Sequence, residues 1–168
     1  HNGAICVSMM MGDDVRSHGS GNAGLTNFIR NYGASRSLLV IVIDAGGDTN
    51  RAIFGGLMIS YCKVRGLAGV IVDGAIRDYR ELADMDFPVY AKGVTPNGPY
   101  KNGPGTIGET ISFGGKVVRP GDIIVGDEDG IIIIKPEEAE ELAKAAQGVV
   151  AKEAAILDNI LNNHSYDR

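Results

Sequence analysis

The stretch Gly66 to Glu81, GLAGVIVDGAIRDYRE, determines how the rest of the chain is organised. Its apolar run Val70-Ile71-Val72 is followed by Asp73-Gly74, and a polar cluster lies between Arg77 and Glu81. Short runs of β-branched residues bounded by glycine are typical of strands buried on both faces. The pattern therefore predicts a buried strand that ends in an Asp-Gly turn and delivers charged side chains to one edge of a sheet.

A second apolar run lies upstream, from Leu38 to Ile43, and stops at a glycine-rich segment. From about Asn50 the apolar residues have the spacing of one helix face, at Ile53, Leu57, Tyr61 and Val64. Strand, turn, helix and strand make a βαβ unit, so we expect parallel pairing here. Gly55-Gly56 lies inside the predicted helix, where each glycine costs ~1 kcal/mol relative to alanine. Close helix packing and a ligand facing bare backbone would both explain this pair.

The remaining segments predict one strand before this unit and a mostly antiparallel half after it. The earlier strand is Ala4 to Met9, and a short helix follows near residues 25–32. The later elements are strands near 88–92, 110–113, 116–118, 123–125 and 131–134, and a helix from Pro136 to about residue 162. We expect one α/β domain over residues 1–168 that lacks an N-terminal segment, because a strand begins almost at once.

Composition excludes several classes of protein. The chain has 168 residues with a formal net charge of −5, so there is no basic footprint for nucleic acid. No apolar run reaches the ~18 residues of a membrane span, and no secretory signal begins the chain. The two cysteines, Cys6 and Cys62, lie in apolar runs and are expected to be reduced and buried. We expect a cytoplasmic protein with no membrane or nucleic-acid partner.

The polar cluster Arg77-Asp78-x-x-Glu81 has the side chains of a metal and anion site. Mg²⁺ is often held by only one or two carboxylates, and a guanidinium can bind a carboxylate or stabilise an enolate oxygen. An Arg-Asp pair near a helix start is also typical of a cap or a solvated ion pair, so spacing alone leaves both interpretations open. Asp44 and Asp48 favour turns, with a cleft-lining role as the alternative.

Three phrases go beyond these patterns: GLAGVIVDGAIRD at 66–78, FPVYAKGVTP at 87–96 and FGGKVVRPGDIIVGDEDGIIII at 113–134. With the terminal helix they resemble the RraA-like family over nearly the whole chain. That family includes class II pyruvate aldolases acting on 4-hydroxy-4-methyl-2-oxoglutarate, and the regulator of ribonuclease activity A. The resemblance implies a layered β/β/α swivelling-domain fold with mixed sheets and a long C-terminal helix, assembled as homotrimers or homohexamers.

The resemblance also implies roles for particular residues. Arg77 would contact the pyruvyl group, and Asp78 with Glu81 would hold Mg²⁺ or Mn²⁺. The pyruvate carboxylate would bind the backbone amides at the start of the helix, at Gly55, Gly56, Leu57 and Met58. The chain departs from the aldolase pattern at Gly56, where that pattern has an acidic residue. Loss of that carboxylate would lower metal affinity, change the substrate or abolish the chemistry.

The leading hypothesis is a metal-dependent lyase that releases pyruvate by retro-aldol cleavage of a 4-hydroxy-2-oxo acid, with oxaloacetate decarboxylation as a side activity. No lysine is placed as an obvious Schiff-base former, which favours metal chemistry. Two alternatives remain: a non-catalytic regulator of ribonuclease activity that binds a protein partner, and a family member that has lost catalysis. The Arg77-Asp78 pair favours the enzyme.

Overall fold

A computed structural model describes residues 39–101 and 105–164. Eight strands and three helices are assigned there. In chain order they are β1 Val40–Asp44, β2 Ala52–Phe54, α1 Gly56–Val64, β3 Gly69–Ile76, α2 Tyr79–Ala83, β4 Val89–Val94, β5 Ile111–Phe113, β6 Lys116–Val118, β7 Ile123–Gly126, β8 Ile131–Ile134 and α3 Ala139–Asn163. The predicted strand and helix before residue 39, and Cys6, lie outside the described residues.

Strand β3 is the centre of a four-stranded sheet. It pairs in parallel with β4 along one edge, from Val70 opposite Val89 to Ile76 opposite Val94. On the other edge β1 pairs with its first half, and β2 pairs with its last residues, again in parallel. β1 and β2 therefore follow each other along the same edge of β3, and on that edge β2 is the strand that pairs with the end of β3.

The sheet is covered on both faces, which explains the continuous apolar runs of its strands. Val70 and Val72 point to the side of α1 and α2, where they pack with Ile59, Cys62 and Leu82. Ile71 points to the opposite side and packs with Val40, Val118 and Ile124, so that side carries the hairpin strands. The predicted layered α/β class is confirmed, as is the antiparallel β5–β6 hairpin.

Two local predictions were wrong. The helix does not start near Asn50, because Ala52–Phe54 pairs with the end of β3, and α1 begins only at Gly56. Gly55-Gly56 therefore lies at the helix N-terminus and not inside the helix. The strand also does not end at Asp73-Gly74: β3 continues to Ile76 through an irregularity in its pairing with β4 between Val72 and Ala75.

The chain divides into two compact units, and the second begins at Ile134. It contains a 3-10 turn at Pro136–Glu138 and the 25-residue helix α3. The proline and the acidic first turn predicted this start, because proline lacks the N–H that a first turn leaves unpaired and glutamates complement the helix dipole. The long C-terminal helix is thereby confirmed. No helix in residues 39–101 and 105–164 is long and apolar enough to span a membrane.

Candidate active site

The ends of two neighbouring parallel strands bring the predicted site residues together. Phe54, the last residue of β2, is the register partner of Ile76, the last residue of β3. The Arg77 N–H donates to the carbonyl oxygen of Phe54 at 2.9 Å. Parallel strands end at the same edge of a sheet, so Gly55-Gly56 and Arg77-Asp78 leave the sheet side by side. The structure thus places the two segments that the sequence singled out in direct contact.

Asp78 adopts a backbone conformation that is uncommon for residues other than glycine. Its φ of 61° and ψ of 35° lie in the left-handed region, shared among the described non-glycine residues only with His164. This conformation turns the chain from β3 into α2 and directs the Asp78 carboxylate to the start of α1. There Oδ2 accepts the N–H of Gly56 at 2.9 Å. The carboxylate therefore lies at the positive end of a helix, which favours its negative charge.

The glycine pair provides the space for three charged side chains. A Cβ on Gly55 would lie 2.6 Å from Asp78 Oδ2 and 2.7 Å from Arg77 Nε. A Cβ on Gly56 would lie 2.6 Å from the Glu81 carboxyl carbon and 2.7 Å from its Oε1. Distances this short exclude any side chain at either position without movement of the neighbours. Bare backbone at the helix start is thus a cradle for Arg77, Asp78 and Glu81.

Arg77 lies between this cradle and an open cavity. Its Nε is 3.6 Å from Asp78 Oδ2, and both side chains are partly exposed. The cavity has a volume of about 460 Å³, within the range of small-molecule sites. Most of its walls are apolar; the residues that line it are Ile53, Phe54, Gly55, Leu57, Met58, Tyr61, Arg77 and Pro99. A small ligand in this space would meet the guanidinium on one side and the start of α1 on another.

Arg51, which no sequence pattern singled out, lies next to the loop that follows β4. Its Nη1 donates to the carbonyl oxygen of Gly98 at 3.0 Å, and its guanidinium lies 4.0 Å from the ring centroid of Tyr100. Arg77 Nη1 would be 2.8 Å from a Cβ on Gly98. The two guanidinium groups thus contact one glycine in the loop that follows β4. The length and the Gly/Pro/Asn composition of that loop are the sequence features that could have indicated a functional segment here.

The backbone amides predicted to bind a carboxylate are partly used within the chain. The Gly56 N–H donates to Asp78, and the Met58 N–H donates to the carbonyl oxygen of Gly55 at 3.1 Å. Their role in substrate binding stays a prediction. Asp44 and Asp48 serve turns, as predicted, because their Oδ1 atoms accept backbone N–H groups of their own loop at 2.8 Å each.

Asp73 is buried, and its partner was not foreseen. Lys92 Nζ on the neighbouring strand β4 lies 2.5 Å from Asp73 Oδ1. No hydrogen bond of acceptable geometry reaches that oxygen from the described residues, so the charge of Lys92 is its compensation. Asp73 is therefore a strand residue in an ion pair, and the predicted Asp-Gly turn is wrong. The pair is structural and lies outside the cavity lining.

The candidate metal ligands are two carboxylates. No group of three or more His, Cys, Asp or Glu side chains with the geometry of a metal site occurs within residues 39–101 and 105–164. Asp78 and Glu81 both lie against Gly56, and hard oxygen ligands of this number are what Mg²⁺ takes when water and substrate complete its shell. The donor set and the cradle therefore fit a divalent cation.

Comparison with known proteins identifies the family. The RraA-like profile, described as Aldolase/RraA, matches residues 15–133. The chain belongs to the RraA-like family. A relative from Halalkalibacterium halodurans with the name "Putative 4-hydroxy-4-methyl-2-oxoglutarate aldolase" is 45% identical over 131 residues, which are 76% of this chain and 62% of the relative. The chain therefore spans less than two thirds of that relative's length.

Solved RraA-like structures have the same fold. The RNA-processing inhibitor RraA from Thermus thermophilis is 30% identical with a TM-score of 0.59, over 65% of this chain and 67% of that one. Streptomyces coelicolor RraAS2, described as an unusual member of the RNase ES inhibitor RraA protein family, gives a TM-score of 0.70 at 24% identity, over 90% of this chain and 72% of that one. At 24% identity, the similarity to RraAS2 shows a shared fold and nothing more.

Proposed function

We propose that this RraA-like protein is a divalent-metal-dependent lyase that releases pyruvate by retro-aldol cleavage of a 4-hydroxy-2-oxo acid, with oxaloacetate decarboxylation as a side activity. One observation carries the proposal. The Asp78 carboxylate, in a left-handed backbone conformation, lies on the N–H of Gly56, and Arg77 and Glu81 lie against the same glycine pair. A relative that is 45% identical has an aldolase name, which agrees with this chemistry.

Asp78 and Glu81 would hold Mg²⁺ or Mn²⁺ at the start of α1, next to the cavity that Arg77 lines. When bound, such an ion supplies a Lewis acid that polarises the 2-oxo group and favours the enolate left by cleavage. The two side chains differ in how they are held. Asp78 is fixed by the Gly56 N–H and by its own backbone conformation, whereas Glu81 is positioned by the space that Gly56 leaves.

Arg77 would bind the pyruvyl end of the substrate. In the cleavage, the 4-hydroxyl group loses its proton and C4 becomes the carbonyl carbon of the second product. The C3–C4 bond breaks, and the electron pair of that bond passes to the enolate of pyruvate, which then takes up a proton at C3. Negative charge therefore grows on the oxygen that was the 2-oxo group. A guanidinium beside that oxygen stabilises the transition state more than the ground state, which is the condition for catalysis.

The residues around the cavity favour metal-assisted cleavage over a mechanism in which a lysine forms an imine with the substrate. No lysine is among the described residues that line it. Lys92, the lysine on neighbouring β4, is ion-paired with buried Asp73. An imine-forming amine must be uncharged and close to the substrate carbonyl, so this lysine has the wrong partner and the wrong place.

Pyruvate release tests the proposal. With Mg²⁺ or Mn²⁺, we expect turnover of 4-hydroxy-4-methyl-2-oxoglutarate or oxaloacetate, and we expect EDTA to abolish it. Arg77→Lys keeps the charge but loses the planar fork, so it should retain metal binding and lose most of its turnover. Absence of metal-dependent turnover on both substrates would reject the named activities.

A binding protein is the second candidate, because a 30% identical neighbour is an RNA-processing inhibitor named RraA. In that case the protein would act through contact with a ribonuclease, and the cavity would need no metal. Co-purification with a ribonuclease, unchanged in Asp78→Asn, would support this candidate. Ribonuclease binding without metal-dependent turnover would replace the lyase.

We further propose that the protein works as a homotrimer or homohexamer in the cytoplasm. Two large apolar side chains of α1 support self-association: Leu57 at the cavity is 89% exposed, and Val64 on the same helix is 83% exposed. Residues seven apart lie on one face of a helix, so the two can be covered together. A second subunit placed there would also close the cavity.

A further inference from the structure

The glycine at position 56 is explained by the space around it and not by its backbone. Gly56 is the first residue of α1, and its φ is outside the left-handed region that favours glycine. Any L-residue could adopt this conformation. A residue without a side chain is needed for another reason: the Glu81 carboxylate, which reaches over from α2, lies where the Cβ would be.

The same contact places the Glu81 carboxylate at the start of α1. Gly56 is the first residue of α1 and has no side chain. The carboxylate of Glu81, which belongs to α2, occupies the space where a side chain of residue 56 would lie. Asp78 Oδ2 contacts the N–H of the same residue. The two carboxylates thus approach one residue from two directions, although neither is attached to α1.

We infer that Glu81 supplies the second carboxylate of the site in place of a side chain at position 56, and that Gly56 is glycine so that this carboxylate can lie there. The inference rests on the proposed metal site. It reverses the expectation from the family resemblance, since an acidic residue added at position 56 would not complete the site. It would displace the carboxylate already present.

Glu81 is accordingly a ligand residue of the proposed site, and Gly56 is the residue that positions it. A methyl group at 56 meets the far end of a flexible side chain, so Glu81 can swing away and the fold survives. Gly56→Ala should therefore damage the site without unfolding the protein. Exchange of the two residue types, Gly56→Asp with Glu81→Gly, should return a carboxylate to the same volume from the α1 side.

Mn²⁺ affinity of the full chain, measured by titration with electron paramagnetic resonance detection of free Mn²⁺, tests the inference without substrate. We expect Gly56→Ala, Gly56→Asp and Glu81→Gln each to weaken Mn²⁺ binding by about tenfold or more. The exchanged double variant should bind within about threefold of wild type, which a purely structural role of either residue would not produce. Gly148→Ala is the matched control, because it adds the same methyl group to a helical glycine with nothing within 4 Å.

The inference would be overturned if Gly56→Ala and Glu81→Gln bound Mn²⁺ as tightly as wild type. It would also be overturned if the single variant Gly56→Asp bound Mn²⁺ more tightly than wild type, or if wild type bound no Mn²⁺. Thermal unfolding of every variant verifies that it is folded. The outcomes separate this inference from the proposed function. If the double variant regains Mn²⁺ affinity but neither it nor wild type releases pyruvate, the carboxylate placement stands and the lyase is rejected.

Discussion

Among single residues, Asp78 is distinguished by its left-handed backbone and by the hydrogen bond that its carboxylate accepts from another helix. Its backbone is left-handed, which costs a non-glycine residue roughly 1 kcal/mol or more, and its side chain is held by the neighbouring helix. Glycine would serve the turn more easily. A carboxylate at this point, with Arg77 3.6 Å away, is the residue-level basis of the proposed site.

Lys92 should contribute more to stability than a lysine in a surface pair. Asp73 Oδ1 is buried and has this ammonium as its compensation, so Lys92→Met leaves a buried charge unpaired. We expect a loss of about 2 kcal/mol in the free energy of unfolding, measured by urea titration. Lys144→Met is the control: it breaks a pair of two exposed side chains on α3 and should cost about 0.5 kcal/mol or less. Equal losses in both variants would contradict the assignment.

Cys62 should be unreactive in the folded protein. Burial raises the pKa of its thiol from 9.0 to about 12. The unfolded chain ionises near pH 9 while the folded chain keeps its proton, so this stabilising contribution is complete below pH 9 and is lost between pH 9 and 12. Alkylation by iodoacetamide at pH 9, followed by peptide mass spectrometry, should label Cys62 much more slowly in the native protein than in urea. Labelling at the same rate in both would contradict its burial.

At the scale of elements, the junction of β2 and α1 determines the site. The sequence was sufficient to predict the strand, helix and strand around it, because six apolar residues in a row and a 3.6-residue spacing are strong local signals. Strand β2 was not predictable in this way: it has only three residues, and Ile53 fits the helix spacing as well. Its existence depends on pairing with Ala75 and Ile76 at the end of β3, and this pairing forms only in the folded chain.

The same limit applies to the site. Arg77, Asp78 and Glu81 were foreseen from their position after an apolar run, and Gly55-Gly56 from its cost in a helix. The contact of Glu81 with Gly56 joins residues on different helices, and the pairing of Asp73 with Lys92 joins different strands. Local patterns do not encode such distances. An Asp-Gly pair has the same local signature in a turn and in a strand.

Strand β3 should not tolerate a side chain at Gly74. A Cβ there would lie 2.8 Å from Ala45 Cβ and 2.9 Å from the carbonyl oxygen of Asp48, and a backbone group cannot move aside cheaply. We expect Gly74→Ala to lower the free energy of unfolding by about 1–3 kcal/mol, measured in urea. Gly105→Ala, with nothing within 4 Å of its Cβ, should be nearly neutral. A neutral Gly74→Ala would contradict the close contact of Gly74 with Ala45 and Asp48 in the loop after β1.

At the scale of the whole molecule, the proposed assembly predicts a mass. Light scattering after size-exclusion chromatography should give three or six times the 17.7 kDa of the chain. Leu57→Glu places a charge on the exposed face of α1 and should shift the mass toward the monomer, whereas the exposed Val117→Glu on β6 serves as a control. A monomer in the wild-type protein would contradict the proposed oligomer.

Asp78 is the residue on which the proposed metal-dependent lyase activity depends most. The most direct test of this dependence is the rate of pyruvate formation from 4-hydroxy-4-methyl-2-oxoglutarate at saturating Mg²⁺, compared between wild type and Asp78→Asn. Asparagine accepts the left-handed backbone and keeps the size of the side chain, so the fold should be retained while the charge is lost. We expect Mg²⁺-dependent turnover in wild type and a loss of about a hundredfold or more in Asp78→Asn. Equal rates in the two proteins would contradict a role of the Asp78 carboxylate in the reaction.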